Sequence, residues 1–170
     1  MTEKTMIEIA RNLATEYHDG MTDKYGNPYM EHLDRVADRV REMEYDFVDE
    51  TSEVELYIAT AYLHDIIEDT AATESTIDAE FPNAFIADAV GKLTRTKGMT
   101  YADYIEGMMP SYEILRSDAN WFALALSGKI ARVVKLADLL DHVAGPTPCP
   151  PNLKKRYEKS LYRLISKGFA

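Results

Sequence analysis

Histidine and carboxylate side chains gather in the stretch Ala59 to Thr70, ATAYLHDIIEDT, where His64 and Asp65 are followed one turn later by Glu68 and Asp69. Leu56, Ala59, Tyr62 and Leu63 recur at three- and four-residue spacing, with Ile66 and Ile67 continuing the stripe, so the spacing predicts one buried helix. Residues four apart share a helix face, which would put His64 near Glu68 and Asp65 near Asp69. The three carboxylates repel one another, and burying them unpartnered costs on the order of several kcal/mol or shifts their pKa values. A divalent cation relieves that cost. The alternative is a helix that emerges into solvent with the acids as its wet end.

Two more ionisable groups lie at other points of the chain. His32 lies near the first turn of a helix expected from about Met30 to Glu44, where a helix-end or satisfied core histidine is the plain alternative to a ligand. Asp138 interrupts the run VVKLADLLDHV, with Leu136, Ala137, Leu139 and Leu140 around it. An unpaired carboxylate there is costly. Its plain alternative to a site role is a salt bridge to Lys135 or Arg132.

The elements that must position these groups read as helices. Thr5 to Tyr17 carries Met6, Ile9, Ala10, Leu13 and Tyr17 at helical spacing behind a Thr5–Glu8 capping box. His18-Asp19-Gly20 ends it, and Gly26, Asn27 and Pro28 mark a loop. Leu33, Val36, Ala37 and Val40 form the inner stripe of the next helix. Ser52 and Glu55 are set to cap the helix that carries His64. A short helix ending near Phe81-Pro82, then Asn83–Leu93, Tyr101–Met109 and Trp121–Val143 follow, and Gly128 is a candidate break in the last of these. Gly145–Pro151 must be loop because its prolines lack backbone donors. Asn152 to Lys167 closes the chain. No alternating runs of the kind a sheet needs occur, so the expected class is all-α, with residues 1–170 as one domain.

Composition narrows the setting. Of 170 residues, 46% are hydrophobic and 28% charged, as in water-soluble globular proteins. No apolar run approaches the roughly 20 residues of a membrane span, and the start MTEKTMIEIA is unlike a secretion signal. With the single cysteine Cys149 no internal disulfide can form, which fits a reducing cytoplasm. A net charge of −10 argues against a duplex nucleic acid partner. A small phosphorylated ligand remains compatible, because a few lysines reverse the field inside one cleft.

In this order His32, His64-Asp65 and Asp138 resemble the HD-domain metal-dependent phosphohydrolases. The closer resemblance is to the hydrolase domain of the RelA/SpoT enzymes and the small Mesh-type alarmone hydrolases. Their pattern H-x-G-x4-K-x-G-x-P-Y-x2-H is met by His18, Gly20, Lys24, Gly26, Pro28, Tyr29 and His32. H-D-x2-E-D-T is met by His64, Asp65, Glu68, Asp69 and Thr70, an acidic-Phe then Leu-Thr element by Glu80-Phe81 and Leu93-Thr94, and V-K-L-A-D by Val134 to Asp138. The match runs from His18 to His142.

The resemblance implies one divalent metal ion, manganese, held by His32, His64, Asp65 and Asp138. The mixed nitrogen and oxygen donors also suit zinc, cobalt or iron. It implies that Glu68 and Asp69 orient and deprotonate the attacking water. It further implies a small phosphorylated nucleotide as substrate, with Lys24, Lys97, His142 and Tyr157 in substrate-binding positions. Two positions depart from the pattern: Asp23 stands where arginine usually precedes the loop lysine, and His142 stands where asparagine usually follows the V-K-L-A-D aspartate. The expected activity is a ppGpp 3′-pyrophosphohydrolase. The alternatives are a deoxynucleoside triphosphate triphosphohydrolase or 5′-nucleotidase of the same superfamily, and a catalytically idle nucleotide-binding module. The expected chain carries no synthetase segment. Segment 111–129, with Trp121 and Phe122, offers no motif and is expected to pack as core, and Cys149 has no base nearby in sequence.

Overall fold

The computed structural model describes residues 4–47, 54–82, 84–108 and 121–167. Within them run α1 (Met6–Tyr17), α2 (Tyr29–Phe47), α3 (Val54–Leu63), α4 (Ile66–Asp69), α5 (Glu74–Glu80), α6 (Ala84–Leu93), α7 (Tyr101–Gly107), α8 (Trp121–Ala144) and α9 (Pro151–Lys167). The fold is all-α. Among the described residues, extended backbone pairs in an isolated bridge between Thr22 and Pro28. No described helix is long and apolar enough to cross a membrane.

α1 opens with the reciprocal Thr5–Glu8 box: Glu8 N donates to Thr5 Oγ1 at 3.2 Å and Thr5 N to Glu8 Oε2 at 2.8 Å. The other expected cap, at Ser52, falls outside the described residues. α3 is the helix the others surround. Every side chain from Tyr57 to Leu63 is buried, which a helix apolar on all sides requires. It packs against α1, α2, α6 and α8. Each fully buried leucine or isoleucine there contributes about 1.5–3 kcal/mol.

α2 meets both α3 and α8, turning Leu33, Val36, Ala37 and Val40 inward. That triple contact draws His32 on α2, the end of α3, and Asp138 on α8 to one place. α9 packs on α8 and touches α7, carrying Tyr157 over the same end.

Three expectations are corrected. The helix predicted through Thr70 breaks at His64-Asp65 and resumes as the single turn α4. α8 runs unbroken through Gly128; a helical glycine costs about 1 kcal/mol, and the buried Leu126, Ile130 and Ala131 on either side hold the helix together. Phe122, expected in the core, is 55% exposed, with its ring edge-on to Phe85 at 6.3 Å. The preceding residues of that segment, 111–120, and the Trp121 side chain lie outside the described set.

Candidate metal centre and its flanking clefts

The break after Leu63 is what makes the His64-Asp65 pair converge. Successive residues of a straight helix diverge by about 100°. Here the His64 ring donates from Nδ1 to the Ala61 carbonyl at 2.8 Å, the acceptor that an unbroken helix offers to the Asp65 amide. Asp65, whose backbone stays in the right-handed region at φ −104° and ψ −1°, places Oδ2 3.0 Å from His64 Nε2.

His32 comes in from α2, with Nε2 3.8 Å from Asp65 Oδ2 and 3.5 Å from Asp138 Oδ1. His64 Nε2 stands 3.9 Å from that same Asp138 oxygen. Donor atoms of His32, His64 and Asp138 all lie within 4.8 Å of one another. Around an ion with bonds of about 2.1 Å, neighbouring ligand atoms sit about 3.0 to 3.4 Å apart. The observed spacings run from 3.0 to 3.9 Å, at or somewhat above that range.

The electrostatics agree. His32 Nε2, His64 Nε2 and Asp138 Oδ1 are buried and make no well-aligned hydrogen bond. Their near neighbours are one another, Asp65 Oδ2 at 3.0 Å from His64 and His142 Nε2 at 3.1 Å from Asp138, an arrangement that a ligand shared among them would satisfy. Both imidazoles present the same nitrogen because Nδ1 is engaged elsewhere, on Ala61 O for His64 and on Asp141 Oδ2 for His32. Burial opposes charge on His64, yet Asp65 and Asp138 raise its pKa to about 9. The pocket therefore draws in positive charge, and a cation would take the place of that proton. Burial likewise opposes charge on Asp65 and Asp138. His64 outweighs it at Asp65, and Lys135, then His142, at Asp138, so both carboxyls stay below their usual range.

Asp138 makes the salt bridge of its plain reading and still turns its other oxygen toward the centre. Lys135 Nζ donates to Oδ2 at 2.7 Å, while Oδ1 faces the centre. Burial works against the Lys135 ammonium, but Asp138 holds its pKa well above the ordinary value.

Glu68 and Asp69 are exposed on α4 at the edge of the centre. Glu68 Oε2 accepts from the Arg95 amide at 2.9 Å. The Tyr29 hydroxyl stands 2.6 Å from Asp65 Oδ2 and 2.8 Å from Asp69 Oδ2, bridging the candidate ligand to the candidate base. Burial and the two carboxylates push the Tyr29 phenol far above its usual pKa, so it stays protonated. His18 stacks on Tyr29 at 5.0 Å and is itself tied to Ala14 O at 2.9 Å.

Two clefts meet at the centre. The first, about 330 Å³, is mostly apolar and includes Met21, Tyr25, Pro148, Cys149 and Tyr157. Lys24 is exposed at its rim, its ammonium 5.2 Å from the Tyr25 ring centre. The Tyr25 hydroxyl donates to the Pro148 carbonyl, joining loop 20–28 to loop 145–150. Asp23 is spent inside its own loop: its carboxylate accepts from the Tyr25 and Asn27 amides and from Asn27 Nδ2. These bonds close the turn in which Gly26 takes φ +86°, a conformation other residues avoid.

The second cleft, about 290 Å³, is polar and includes Glu68, Asp69, Arg95, Tyr101, Lys135 and Arg156. Arg156 lies over the Tyr101 ring at 4.5 Å. His142 and Tyr157 belong to both clefts. The His142 ring is sandwiched between His32 and Tyr157 at 5.2 Å each, and its Nε2 is 3.1 Å from Asp138 Oδ1. Partial burial lowers the His142 pKa, but Asp138 outweighs it and raises it. Lys97 is exposed in the loop after α6 and lines neither cleft. Sequence reasoning missed Arg95, Arg156 and Asp141. Asp141 alone left a signal, as a second carboxylate one turn past Asp138 in an apolar run.

Comparison with known proteins gives a consistent picture. A family model described as HD domain matches residues 10–143. The chain is 37% identical over 157 residues to a guanosine-3′,5′-bis(diphosphate) 3′-pyrophosphohydrolase of Vibrio cholerae, covering 91% of this chain and 20% of that one. It is 36% identical over 155 residues to the bifunctional (p)ppGpp synthase/hydrolase SpoT of Escherichia coli K12, again covering 91% and 20%. The chain thus spans about a fifth of the length of these curated relatives. Among solved structures it is similar to one described as a metazoan ortholog of SpoT that hydrolyzes ppGpp and plays a role in starvation responses. The TM-score is 0.63 at 19% identity, over 98% of this chain and 87% of that one, a likeness of fold.

Proposed function

We propose that this chain, which belongs to the HD-domain family, is a metal-dependent nucleotide phosphohydrolase that releases pyrophosphate from the ribose 3′ position of ppGpp. The observation that carries the reading is the convergence of His32 Nε2, His64 Nε2 and Asp138 Oδ1, none of them in a well-aligned hydrogen bond, in one buried pocket. With Asp65 they would hold one divalent ion. Manganese is our assignment, and the same donors accept zinc, cobalt or iron. Bound there, the ion supplies Lewis acidity and lowers the pKa of a water molecule.

The chain's own groups do the rest. Glu68 and Asp69 orient the attacking water and accept its proton, with the Tyr29 hydroxyl and the Arg95 amide holding the two carboxylates. The water oxygen bonds to the phosphorus next to the ribose as the bond from that phosphorus to the 3′ oxygen breaks. The 3′ oxygen leaves with a proton, giving GDP and pyrophosphate. The apolar cleft suits base and ribose, with His142 and Tyr157 as a stacking floor. The polar cleft suits the phosphates, whose oxygens Arg95, Arg156 and Lys135 can meet with charge-assisted hydrogen bonds. Lys24 and Lys97, on exposed loops, add point charges for a bound nucleotide.

A second reading keeps the centre and changes the nucleotide to a deoxynucleoside triphosphate or a nucleoside monophosphate. Two observations favour it: Asp23 spends its carboxylate within the loop where the family pattern has arginine, and His142 packs on Asp138 where that pattern has asparagine. Incubating the protein and Mn²⁺ with ppGpp, dNTPs and NMPs and separating the products chromatographically decides between them. Pyrophosphate and GDP from ppGpp are expected. Tripolyphosphate or inorganic phosphate from another nucleotide, with ppGpp untouched, would select the second reading. No turnover of any would overturn both and leave an idle binding module.

A further inference from the structure

A ligating imidazole needs one nitrogen bare, the other protonated, and its plane held still. His64 obtains this from the backbone, through Ala61 O. His32 obtains it from a side chain on another helix: Nδ1 meets Asp141 Oδ2 at 2.9 Å. A carboxylate oxygen can only accept here, so the proton sits on Nδ1 and Nε2 is left to face Asp138.

The carboxylate is itself clamped. Arg35 Nε lies 3.0 Å from Oδ1 and Arg35 Nη2 3.1 Å from Oδ2, and Arg39 Nε reaches Oδ1 at 3.5 Å. Arg35 and Arg39 follow His32 by three and seven residues, which puts all three on one face of α2. Asp141 is 3% exposed. Gly145 passes so close that a Cβ there would fall 2.9 Å from Oδ1. The carboxylate is thus held from several sides and nearly closed off, at the edge of the apolar cleft that Asp141 and Arg35 also line.

We infer that Asp141 is a positioning residue of the metal centre, holding His32 in the tautomer and ring plane that offer Nε2 to the ion, with Arg35 and Arg39 anchoring the carboxylate from the same helix. The inference rests on His32 being a ligand. An ion pair that merely ties α2 to α8 would stabilise the fold without affecting metal affinity, and that difference is the test.

Mn²⁺ affinity is measured by competition with a chromogenic chelator on purified wild-type protein and on the variants Asp141→Asn, Asp141→Glu and His32→Ala. Asp141→Asn is expected to bind one ion about 10- to 100-fold more weakly, with turnover restored by excess metal, and Asp141→Glu to recover part of the loss. A folded Asp141→Asn protein with wild-type affinity would overturn the inference. Should Asp141→Asn fail to fold, histidine nitrogen NMR on the Zn²⁺-loaded wild type decides. A protonated Nδ1 and a ligated Nε2 on His32 are expected, and the reverse pattern, or no ligated His32, overturns it. His32→Ala separates the two layers. Wild-type affinity there refutes the metal reading itself, whereas loss there beside an unaffected Asp141→Asn refutes only the role of Asp141.

Discussion

The floor of the site and its walls are made in different ways. The floor consists of side chains from α2, the α3–α4 break and α8, with His64 at 1% and Asp138 at 2% exposure, each fixed by a partner on its far side. The walls consist largely of loops, 20–28, 94–100 and 145–150, and of the exposed faces of α4 and α9. Packing leaves the floor one arrangement, as a shell of directed donors requires. The walls carry adaptable groups, and they differ from each other: one cleft is lined by Met21, Tyr25 and Pro148, the other by Arg95, Lys135 and Arg156. On the proposed reading the floor holds the ion and the walls choose the substrate.

Substitutions test that division. His64→Ala removes a floor donor that is 1% exposed. It should abolish both metal retention and turnover while the helical circular dichroism spectrum persists; metal content near wild type would break the division at its base. Glu68→Gln, or Asp69→Asn, sits where floor and wall meet. It is expected to lower kcat by about 10²- to 10⁴-fold with metal content unchanged, read by steady-state kinetics beside elemental analysis.

On the polar wall, Arg156→Met removes a charged donor worth about 1.5–3 kcal/mol, so KM should rise by on the order of 10- to 100-fold at little cost in kcat. Pyrophosphate inhibition should weaken in parallel. An effect confined to kcat would move Arg156 from substrate binding to chemistry. The smallest effect is expected at Tyr25→Phe, which deletes the hydrogen bond to Pro148 between two loops. A loss of about 1 kcal/mol should appear as a modest rise in KM, with metal affinity untouched.

The same division governs how much could be read in advance. Helical periodicity located nearly every element, because an apolar stripe is a local property of the chain. Asp138 stood out as a carboxylate in an apolar run, His64 and Asp65 by breaking into an apolar helix stripe, and His32 by its place in the H…HD…D order. The structure gathers donors of His32, His64 and Asp138 within 4.8 Å and sets Asp65 Oδ2 3.0 Å from His64. Periodicity could not disclose the break at His64-Asp65, where the His64 ring takes the Ala61 carbonyl. Nor could it disclose that Asp141 reaches across to His32, a contact between residues 109 positions apart. Arg95 and Arg156 carry no motif in the sequence; only the approach of loop 94–100 and α9 to α4 and α8 brings them into one cleft. Lys97 shows the reverse. Its loop position matched the pattern, but Arg95, two residues earlier, is the one that lines the polar cleft.

The central claim is that one caged cation makes hydrolysis possible at this floor. Stripping the protein with a chelator, adding Mn²⁺ back stepwise, and following bound metal and pyrophosphate released from ppGpp in the same samples tests it most directly. The account predicts that turnover is lost on stripping, returns in proportion to bound metal, and saturates at one ion per chain. Undiminished pyrophosphate release from the stripped protein, or saturated metal binding with no release, would contradict it.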